Sequence, residues 1–408
     1  MNCRHCGTSL NLVMFDLGHA PPSNAYLSPE QLSLPEVHLP LKVLVCESCW
    51  LVQTADYVSP QELFAPDYAY FSSTSSSWLN HAEAFSMSAA REFGLGFDSF
   101  VVEVASNDGY LLRNFVAMGI PCLGIEPTSQ TADAAEELGI PVLRQFFTEA
   151  VSRLAVNEFG SADLVVANNV IAHVPDINDF TKGLSHLLKP DGILVLEFQH
   201  LLGIVEDCLF DTVYHEHFSY LSLIALQSVL ECADLRIWRV EILPTHGGSL
   251  RVFACRSRSS RVAEQNVDDV IAEEHTAGLA KASTFAGLQS RATEIKAALL
   301  GFLLSACEDG KSVVGYGAAA KGNTLLNYAG VRADLLSLVA DAAPSKQGKF
   351  LPASHIPVVS PKELRRNRPD FVLILPWNLR HEIASELVDI VSRGTRLVTA
   401  MPKFVVHE

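Results

Sequence analysis

The sequence predicts an α/β protein in three parts, a small cysteine-organised module followed by two Rossmann-like units of alternating strand and helix. Three observations carry this. Two C-x-x-C pairs, Cys3-Arg4-His5-Cys6 and Cys46-Glu47-Ser48-Cys49, frame the first part. An apolar strand at residues 100–104 ends in a tight turn of small polar residues before a helical pattern. A second such turn, Gly315-Tyr316-Gly317, follows the apolar residues at 312–315. The expected boundaries are residues 1–70, 71–260 and 261–408.

A chain of 408 residues, 49% hydrophobic, is long enough to bury a core in each part. Its longest apolar runs are strand-length, well short of the roughly 20 residues that cross a bilayer, so no membrane association is expected. The N-terminus lacks a basic region followed by an apolar core, and a cytoplasmic location follows. A monomer is expected. The formal charge of −16 argues against a nucleic-acid partner, because that affinity comes from Lys and Arg neutralising phosphates. Nine cysteines in a reducing compartment point to metal binding for some and packing for the rest.

Along the chain, the front module carries a β-rich stretch at 39–46, and a Ser-rich segment at 72–77 reads as its linker to the next unit. A helical pattern from Trp78 precedes the strand at 100–104, with later strands of the same sheet at 162–167 and 193–198. Strands at 235–240 and 249–255 close that unit. Residues 262–309 have helical spacing and read as long connecting helices, after which strands are expected at 312–315, 336–340, 371–375 and 395–398.

The paired C-x-x-C motifs are the arrangement in which two knuckles each present two thiolates to one tetrahedral zinc. Cys3, Cys6, Cys46 and Cys49 are the expected ligands. His5 could replace a cysteine, but four thiolates already complete the shell. With no open position, the role is structural.

In Glu103-Val104-Ala105-Ser106-Asn107-Asp108-Gly109 the chain turns tightly at the carboxyl edge of a strand, where open α/β sheets bind ligands. The next strand, Cys122-Leu123-Gly124-Ile125, ends in Glu126-Pro127, at the offset where an acidic side chain accepts hydrogen bonds from ribose hydroxyls. Ala105 stands where a glycine is usual. That weakens an NAD reading and leaves one of S-adenosylmethionine (SAM), with Glu103, Ala105, Asn107, Gly109, Glu126 and Pro127 as candidate contacts. The strand at 162–167 runs into Asn168 and Asn169, then His173, whose place at the ligand edge makes all three candidates to line the reaction site.

Tyr214-His215-Glu216-His217 concentrates four polar side chains in four positions, a costly density in a core without a purpose. H-x-H without a third distant ligand is a weak metal signal, and general acid–base chemistry fits better, because His titrates near neutrality and Glu can tune it.

The ordered set now assembled resembles the nucleotide-linked sugar 3-C-methyltransferases that act on 4-keto-deoxysugars. The similarity extends from the paired C-x-x-C through E-x-x-S-N-D-G, G-I-E-P and Y-H-E-H-F-S-Y to H-G-G-S-L-R and G-Y-G-A-A-A-K-G-N-T-L-L-N-Y, and so covers essentially the whole chain. It implies a class I SAM-methyltransferase domain in the middle and a sugar-nucleotide-binding Rossmann-like domain behind. It further implies that a base removes the proton next to the C4 ketone, giving an enolate whose C3 attacks the methyl group. His217 is then the base, with Tyr214, Glu216 and His173 around the sugar and Tyr70, or Tyr68, reaching in from the first module.

For the second unit the resemblance implies a nucleotide-linked keto-deoxysugar as substrate. Gly317, Lys321 and Asn323 lie in a glycine-rich turn before a helix, a natural anion site. Asp341 after the next strand keeps a second dinucleotide such as NAD open as an alternative. Lys346, Trp377 and Asn378 fall in loops after strands, where the tryptophan offers a face for a base or packs. His246 and Arg251 are expected to border the sugar, Arg251 being suited to a phosphate. Two rival readings remain: methylation of a sugar oxygen or nitrogen, and a zinc-ribbon binding protein with inactive α/β domains. The nucleotide and the deoxygenation pattern are not legible.

Overall fold

The computed structural model describes residues 1–55, 57 and 71–407. Its strands make three sheets. In the front module β1 (Leu12–Ala20), β2 (Leu39–Val45) and β3 (Val52–Thr54) are antiparallel neighbours. β1 buries Met14, Phe15, Leu17 and Ala20, and its strict alternation is broken where the register with β2 shifts, between Val13 and Phe15 and between Asp16 and His19.

The central sheet contains β4 (Val101–Val104), β5 (Cys122–Ile125), β6 (Val142–Leu143), β7 (Ala162–Asn168) and β8 (Leu188–Gln199). The fourth strand of the front sheet, β9 (Ser219–Tyr220), comes next in the chain and pairs antiparallel with β3, Val52 opposite Tyr220 and Gln53 opposite Ser219. β10 (Leu235–Leu243) and β11 (Ser249–Arg256) then complete the central sheet in the order β6-β5-β4-β7-β8-β11-β10. The first five of these run parallel, and β11 inserts antiparallel between β8 and β10. Order reverses between β4 and β7, so the crevice for a ligand lies at the carboxyl ends of those two strands.

The third sheet comprises β12 (Val313–Tyr316), β13 (Val339–Ala340), β14 (Val358–Val359), β15 (Phe371–Ile374), β16 (Arg396–Thr399) and β17 (Val405–Val406). Its order is β14-β13-β12-β15-β16-β17, parallel except for β17. Again the switch falls beside the first strand, between β12's neighbours β13 and β15. The connecting helices expected at 262–309 are Gln265–Ala277, Ala282–Ala286 and Leu288–Glu308.

One expectation needs adjustment. The strand expected at 336–340 is only Val339–Ala340, because Leu336 turns into the core before the chain straightens. The Ser-rich linker is itself bonded into the fold. Ser72 N–H donates to Asn107 Oδ1 (2.9 Å) and Ser73 N–H to Asp108 Oδ2 (3.0 Å), while Ser75 caps the helix Ser76–Glu92 through the amide of Trp78. Polar residues there serve the neighbouring loop and the helix end.

The three parts share apolar packing. One core joins Met14 and Phe15 of β1 and Val43 of β2 to residues between Leu201 and Val213, and continues into Leu299, Leu325 and Leu373 of the third part. Burial of this kind contributes about 25 cal/mol per Å2 of apolar surface, so the parts are held together by the same force that folds each of them. Among the described residues no helix is long and apolar enough to cross a membrane.

Gly322 marks how tightly the helix Ala320–Ala329 lies on the third sheet: a Cβ there would stand 2.8 Å from Cβ and Cδ1 of buried Leu375. Alanine gains about 1 kcal/mol of helix propensity, but overpacking costs about 1–3 kcal/mol. Gly322→Ala should therefore lower the thermal unfolding midpoint, and an unchanged or raised midpoint would show that Leu375 yields freely.

Candidate active site

Four sulfurs converge at the front. Cys3 Sγ is 3.6 Å from Cys49 Sγ and Cys6 Sγ is 3.5 Å from Cys46 Sγ, with all four atoms within 4.8 Å of one another. Zinc–sulfur bonds of about 2.3 Å in a tetrahedron put sulfurs roughly 3.8 Å apart, so the set fits zinc. His5 is no ligand. Its Nδ1–H donates to Asn178 Oδ1 (2.7 Å), and Asn178 Nδ2 returns a bond to the His5 carbonyl (2.8 Å). The other cysteines are free thiols, and burial pushes those of Cys122 and Cys208 up to about 11.

The knuckle is wired to the backbone around His217. Arg4 donates from one guanidinium nitrogen to the Pro175 carbonyl and from the other to the Thr54 carbonyl, both at 2.8 Å. Thr54 in turn donates its hydroxyl to the His217 carbonyl (2.8 Å). With β9 paired to β3, residues 217–220 are fixed by the metal module as much as by their own domain.

The cluster at residues 214–217 divides. His215 turns away, its Nε2 toward the Pro40 carbonyl at 3.3 Å, and is buried. His217 stacks beside Tyr214 with centroids 3.9 Å apart and meets the His173 ring edge-on at 4.7 Å. His217 Nδ1 lies 3.0 Å from the Thr212 carbonyl. A carbonyl can only accept, so Nδ1 carries the proton and the basic lone pair belongs to Nε2. By the same reasoning His173 Nδ1 donates to the Glu216 carbonyl at 2.9 Å. Burial moves His173 from 6.5 down to about 4, which keeps it neutral at pH 7. The buried Glu216 carboxylate receives the Asn24 amide on both oxygens, each at 2.9 Å. His173, Tyr214, Glu216 and His217 thus come together. Tyr70 and Tyr68 lie outside the described residues.

At the crevice of the central sheet, Ala105 (φ 56°), Asn107 (φ 50°) and Gly109 (φ 75°) all have left-handed backbones. Ala105 therefore adopts the conformation that usually selects glycine there, at a cost of order 1 kcal/mol. Gly109 has no alternative, since a Cβ would stand 2.4 Å from Ile140 Cδ1. Glu126 holds the loop: Oε2 accepts from the Asn107 amide (2.9 Å), and Oε1 from the Thr128 amide (3.0 Å) and the Thr128 hydroxyl. Burial pushes the Glu103 carboxyl well above the ordinary carboxylate range, and Glu126 and Asp108 add to it. Glu103 Oε2, Ser106 Oγ, Asp108 Oδ1 and Asn168 Oδ1 are buried without hydrogen-bond partners among the described residues. Such groups await a ligand's donors, and three carboxyls around one loop favour a cationic one. Asn169 (φ 54°) continues the edge, its amide bonded to the Glu197 carbonyl.

In the third part Asp341 accepts the Ala318 amide (2.7 Å) and the Ala343 amide (2.8 Å), and so buttresses the glycine-rich turn itself. Lys346 donates to the Ala318 carbonyl (2.7 Å). Gly317 (φ 86°) lies where a Cβ would meet Pro376 at 2.4 Å. Asn323 reaches the Ser23 carbonyl (2.7 Å). Trp377 Nε1 donates to buried Asp211 (2.9 Å), and Lys321 sits over the indole at 5.6 Å. Burial lowers the Lys321 ammonium and raises the Asp211 carboxyl, each opposed by the other's charge. Trp377 thus braces the third part against residues 210–212, with Asn378 exposed beside it. Arg251 is correspondingly committed. Its guanidinium pairs with Glu197 (3.0 Å) and Glu241 (3.2 Å), which corrects the expectation of an open phosphate partner. Although burial pushes Glu197 up, His81 and Arg251 prevail and hold it below the ordinary range. His246 lies in the turn Thr245–Gly247.

Three family models match the chain: a "Putative zinc binding domain" at residues 3–64, a methyltransferase domain at 102–194 and a C-methyltransferase C-terminal domain at 244–402. The C-methyltransferase NovU of Streptomyces niveus is 33% identical over 401 residues, covering 98% of this chain and 95% of NovU. The chain belongs to the C-methyltransferase family. An uncharacterized methyltransferase of Mycobacterium leprae is 26% identical over 103 residues, 25% of this C-methyltransferase and 38% of that protein. Among solved structures, 1,6-didemethyltoxoflavin-N1-methyltransferase of Burkholderia thailandensis aligns with a TM-score of 0.37 at 16% identity, over 50% of this chain and 95% of that one. A methyltransferase of Clostridium acetobutylicum aligns at 0.36 and 13% identity, over 46% and 92%.

Reasoning from sequence missed Asn24, Arg4, Asp211 and the Ser72–Ser73 amides. Each acts on a partner distant in the chain, and nothing local marks it.

Two outcomes follow from this geometry. The native C-methyltransferase should hold one zinc per chain, and stripping it with a chelator should cut turnover at least about 10-fold while the α/β cores stay folded by circular dichroism; full activity without metal would separate knuckle from site. Because folded His173 titrates below its unfolded 6.5, the unfolded chain binds the extra proton as pH falls from 6.5 toward 4, and stability drops through that window. His173→Asn should remove about 1–2 kcal/mol of the loss between pH 7 and pH 5 in urea unfolding; identical pH slopes in both proteins would refute this.

Proposed function

We propose that this C-methyltransferase moves a methyl group from S-adenosylmethionine to C3 of a nucleotide-linked 4-keto-deoxysugar. The crevice supports SAM: Glu103, Asp108 and Glu126 surround a loop of left-handed residues, and orphaned buried oxygens at the ends of β4 and β7 match a ligand that is cationic and rich in donors. When bound, SAM supplies an electrophilic methyl group on a sulfonium. Glu126 retains lone pairs for ribose hydroxyls beyond those used on Asn107 and Thr128.

The observation that carries the reaction is the tautomer of His217. With Nδ1–H spent on the Thr212 carbonyl, Nε2 is the basic atom of a ring packed between Tyr214 and His173. Nε2 takes the C3 proton, the electron pair left on C3 delocalises onto the C4 oxygen, and the resulting enolate is the nucleophile at C3. Neutral His173 keeps a second positive charge from lowering the basicity of His217. Tyr214 and Glu216 border the sugar in this reading, and the glycine-rich turn of the third part receives its nucleotide, with Lys346 and Asn323 beside it. The wider resemblance to sugar 3-C-methyltransferases supplies the substrate class and the position of attack. A chain acting as a monomer suffices for this chemistry, because the candidate residues come from one copy.

His217→Asn should lower kcat about 10²–10⁴-fold, the usual contribution of general base catalysis, while SAM affinity by calorimetry changes little. The assay uses dTDP-, GDP- and CDP-linked 4-keto-6-deoxysugars with product NMR. Wild-type protein should also exchange the C3 hydrogen for solvent deuterium without SAM, and the variant should not. Methylation of a hydroxyl or amine with no C3 exchange would replace this reading by O- or N-transfer.

A further inference from the structure

The segment Ser23–Tyr26 belongs to the front module by sequence, yet its partners lie in the other two parts. Its flanks are fixed to the third part. The Ser23 carbonyl accepts from Asn323 Nδ2 (2.7 Å), and the Tyr26 hydroxyl donates to the Ala318 carbonyl in the glycine-rich turn (2.6 Å). Leu27 exchanges two main-chain bonds with Phe350, at 3.0 and 2.8 Å. Between these anchors Asn24 faces the central part, where its amide nitrogen straddles the Glu216 carboxylate at 2.9 Å to each oxygen. Thr324 closes the circuit: its hydroxyl lies 3.3 Å from that of Ser23 and donates to the Val213 carbonyl (2.7 Å).

Glu216 is 2% exposed. A buried carboxylate depends on its donors, and removing one costs more than the bond itself is worth, because the charge stays desolvated. A donor that addresses both oxygens also fixes the direction in which the carboxylate points. That donor is carried by a strap whose position is dictated by the glycine-rich turn.

We propose that Asn24 is a positioning residue for the methyl-transfer reaction: its amide sets the orientation of Glu216, and its anchorage at Ser23 and Tyr26 ties that orientation to the glycine-rich turn of the third part. The inference rests on the reading that Glu216 borders the reacting sugar. Asn24 itself touches no reacting atom.

The test measures kcat and KM in the full-length zinc protein, with whichever of the dTDP-, GDP- and CDP-linked 4-keto-6-deoxysugars it turns over, for wild type, Asn24→Ala, Asn24→Asp, Glu216→Gln and the double variant Asn24→Ala/Glu216→Gln. Asn24→Ala should lower kcat about 10-fold or more, as loss of a hydrogen bond to a charged group does, with the KM for SAM unchanged. Aspartate has the shape of asparagine but sets a second carboxylate against Glu216, so Asn24→Asp should be worse than Asn24→Ala; a packing role predicts the opposite order. In the Glu216→Gln background Asn24→Ala should add little, since the two act as one unit. Losses that multiply, or an aspartate variant as active as wild type, overturn the proposal. Should Glu216→Gln itself keep full activity, the assignment of Glu216 to the sugar site fails and the inference with it; impaired Glu216→Gln with Asn24→Ala and Asn24→Asp both at wild-type rates removes the inference alone.

Discussion

The bond from His217 Nδ1 to the Thr212 carbonyl is the interaction on which the site turns, because it decides which nitrogen of the imidazole is basic. Much of the surrounding structure keeps that ring in place. Thr54 holds the His217 carbonyl, β9 pairs with β3 two residues further on, and Tyr214 covers one face of the ring. A short turn from Thr212 to His217 could not hold such a geometry alone. It is held because strands from two parts of the chain meet there and because the zinc knuckle, through Arg4, fixes the neighbouring backbone at Pro175.

The metal module is thereby more than a stabilising appendage. Its tetrathiolate makes a rigid corner from a stretch rich in proline and polar residues, and that corner positions Arg4 and β3. The third part makes a corresponding contribution from the other side, through Trp377 on Asp211 and Thr324 on Val213. Residues 210–217 are therefore bounded by all three parts. A buried hydrogen-bonded carboxyl elsewhere performs a plainer service. Glu274, fully buried on the helix Gln265–Ala277, accepts from His200 and from the amides of Leu223 and Ile224, fastening the connecting helices to the central sheet.

Local features were the legible ones. Alternation of strand and helix, the spacing of C-x-x-C, the acidic residue after β5 and the density of Tyr214 to His217 are all read from contiguous residues, and the structure shows the elements they imply. Ala105 was legible as an anomaly, and its φ of 56° explains it: the loop keeps the glycine conformation without the glycine. Arg251 misled because a basic residue after H-G-G-S suggests an anion, whereas its partners are Glu241, opposite it in the β10–β11 hairpin, and Glu197 on β8, which only the fold brings beside β11. Asn24 was illegible for the same reason. Nothing in P-P-S-N-A-Y announces a carboxylate nearly two hundred positions away, and only the fold brings the two together.

The strand β9 that completes the front sheet is synthesised long after β1, β2 and β3 have left the ribosome. Until then the edge of β3 offers unpaired main-chain groups, and the cysteine corner closes on a sheet that lacks its last member. The part of the protein made first is consequently finished late, together with the seating of the His217 ring, so that a nascent chain interrupted before residue 219 carries neither a closed front sheet nor a seated His217.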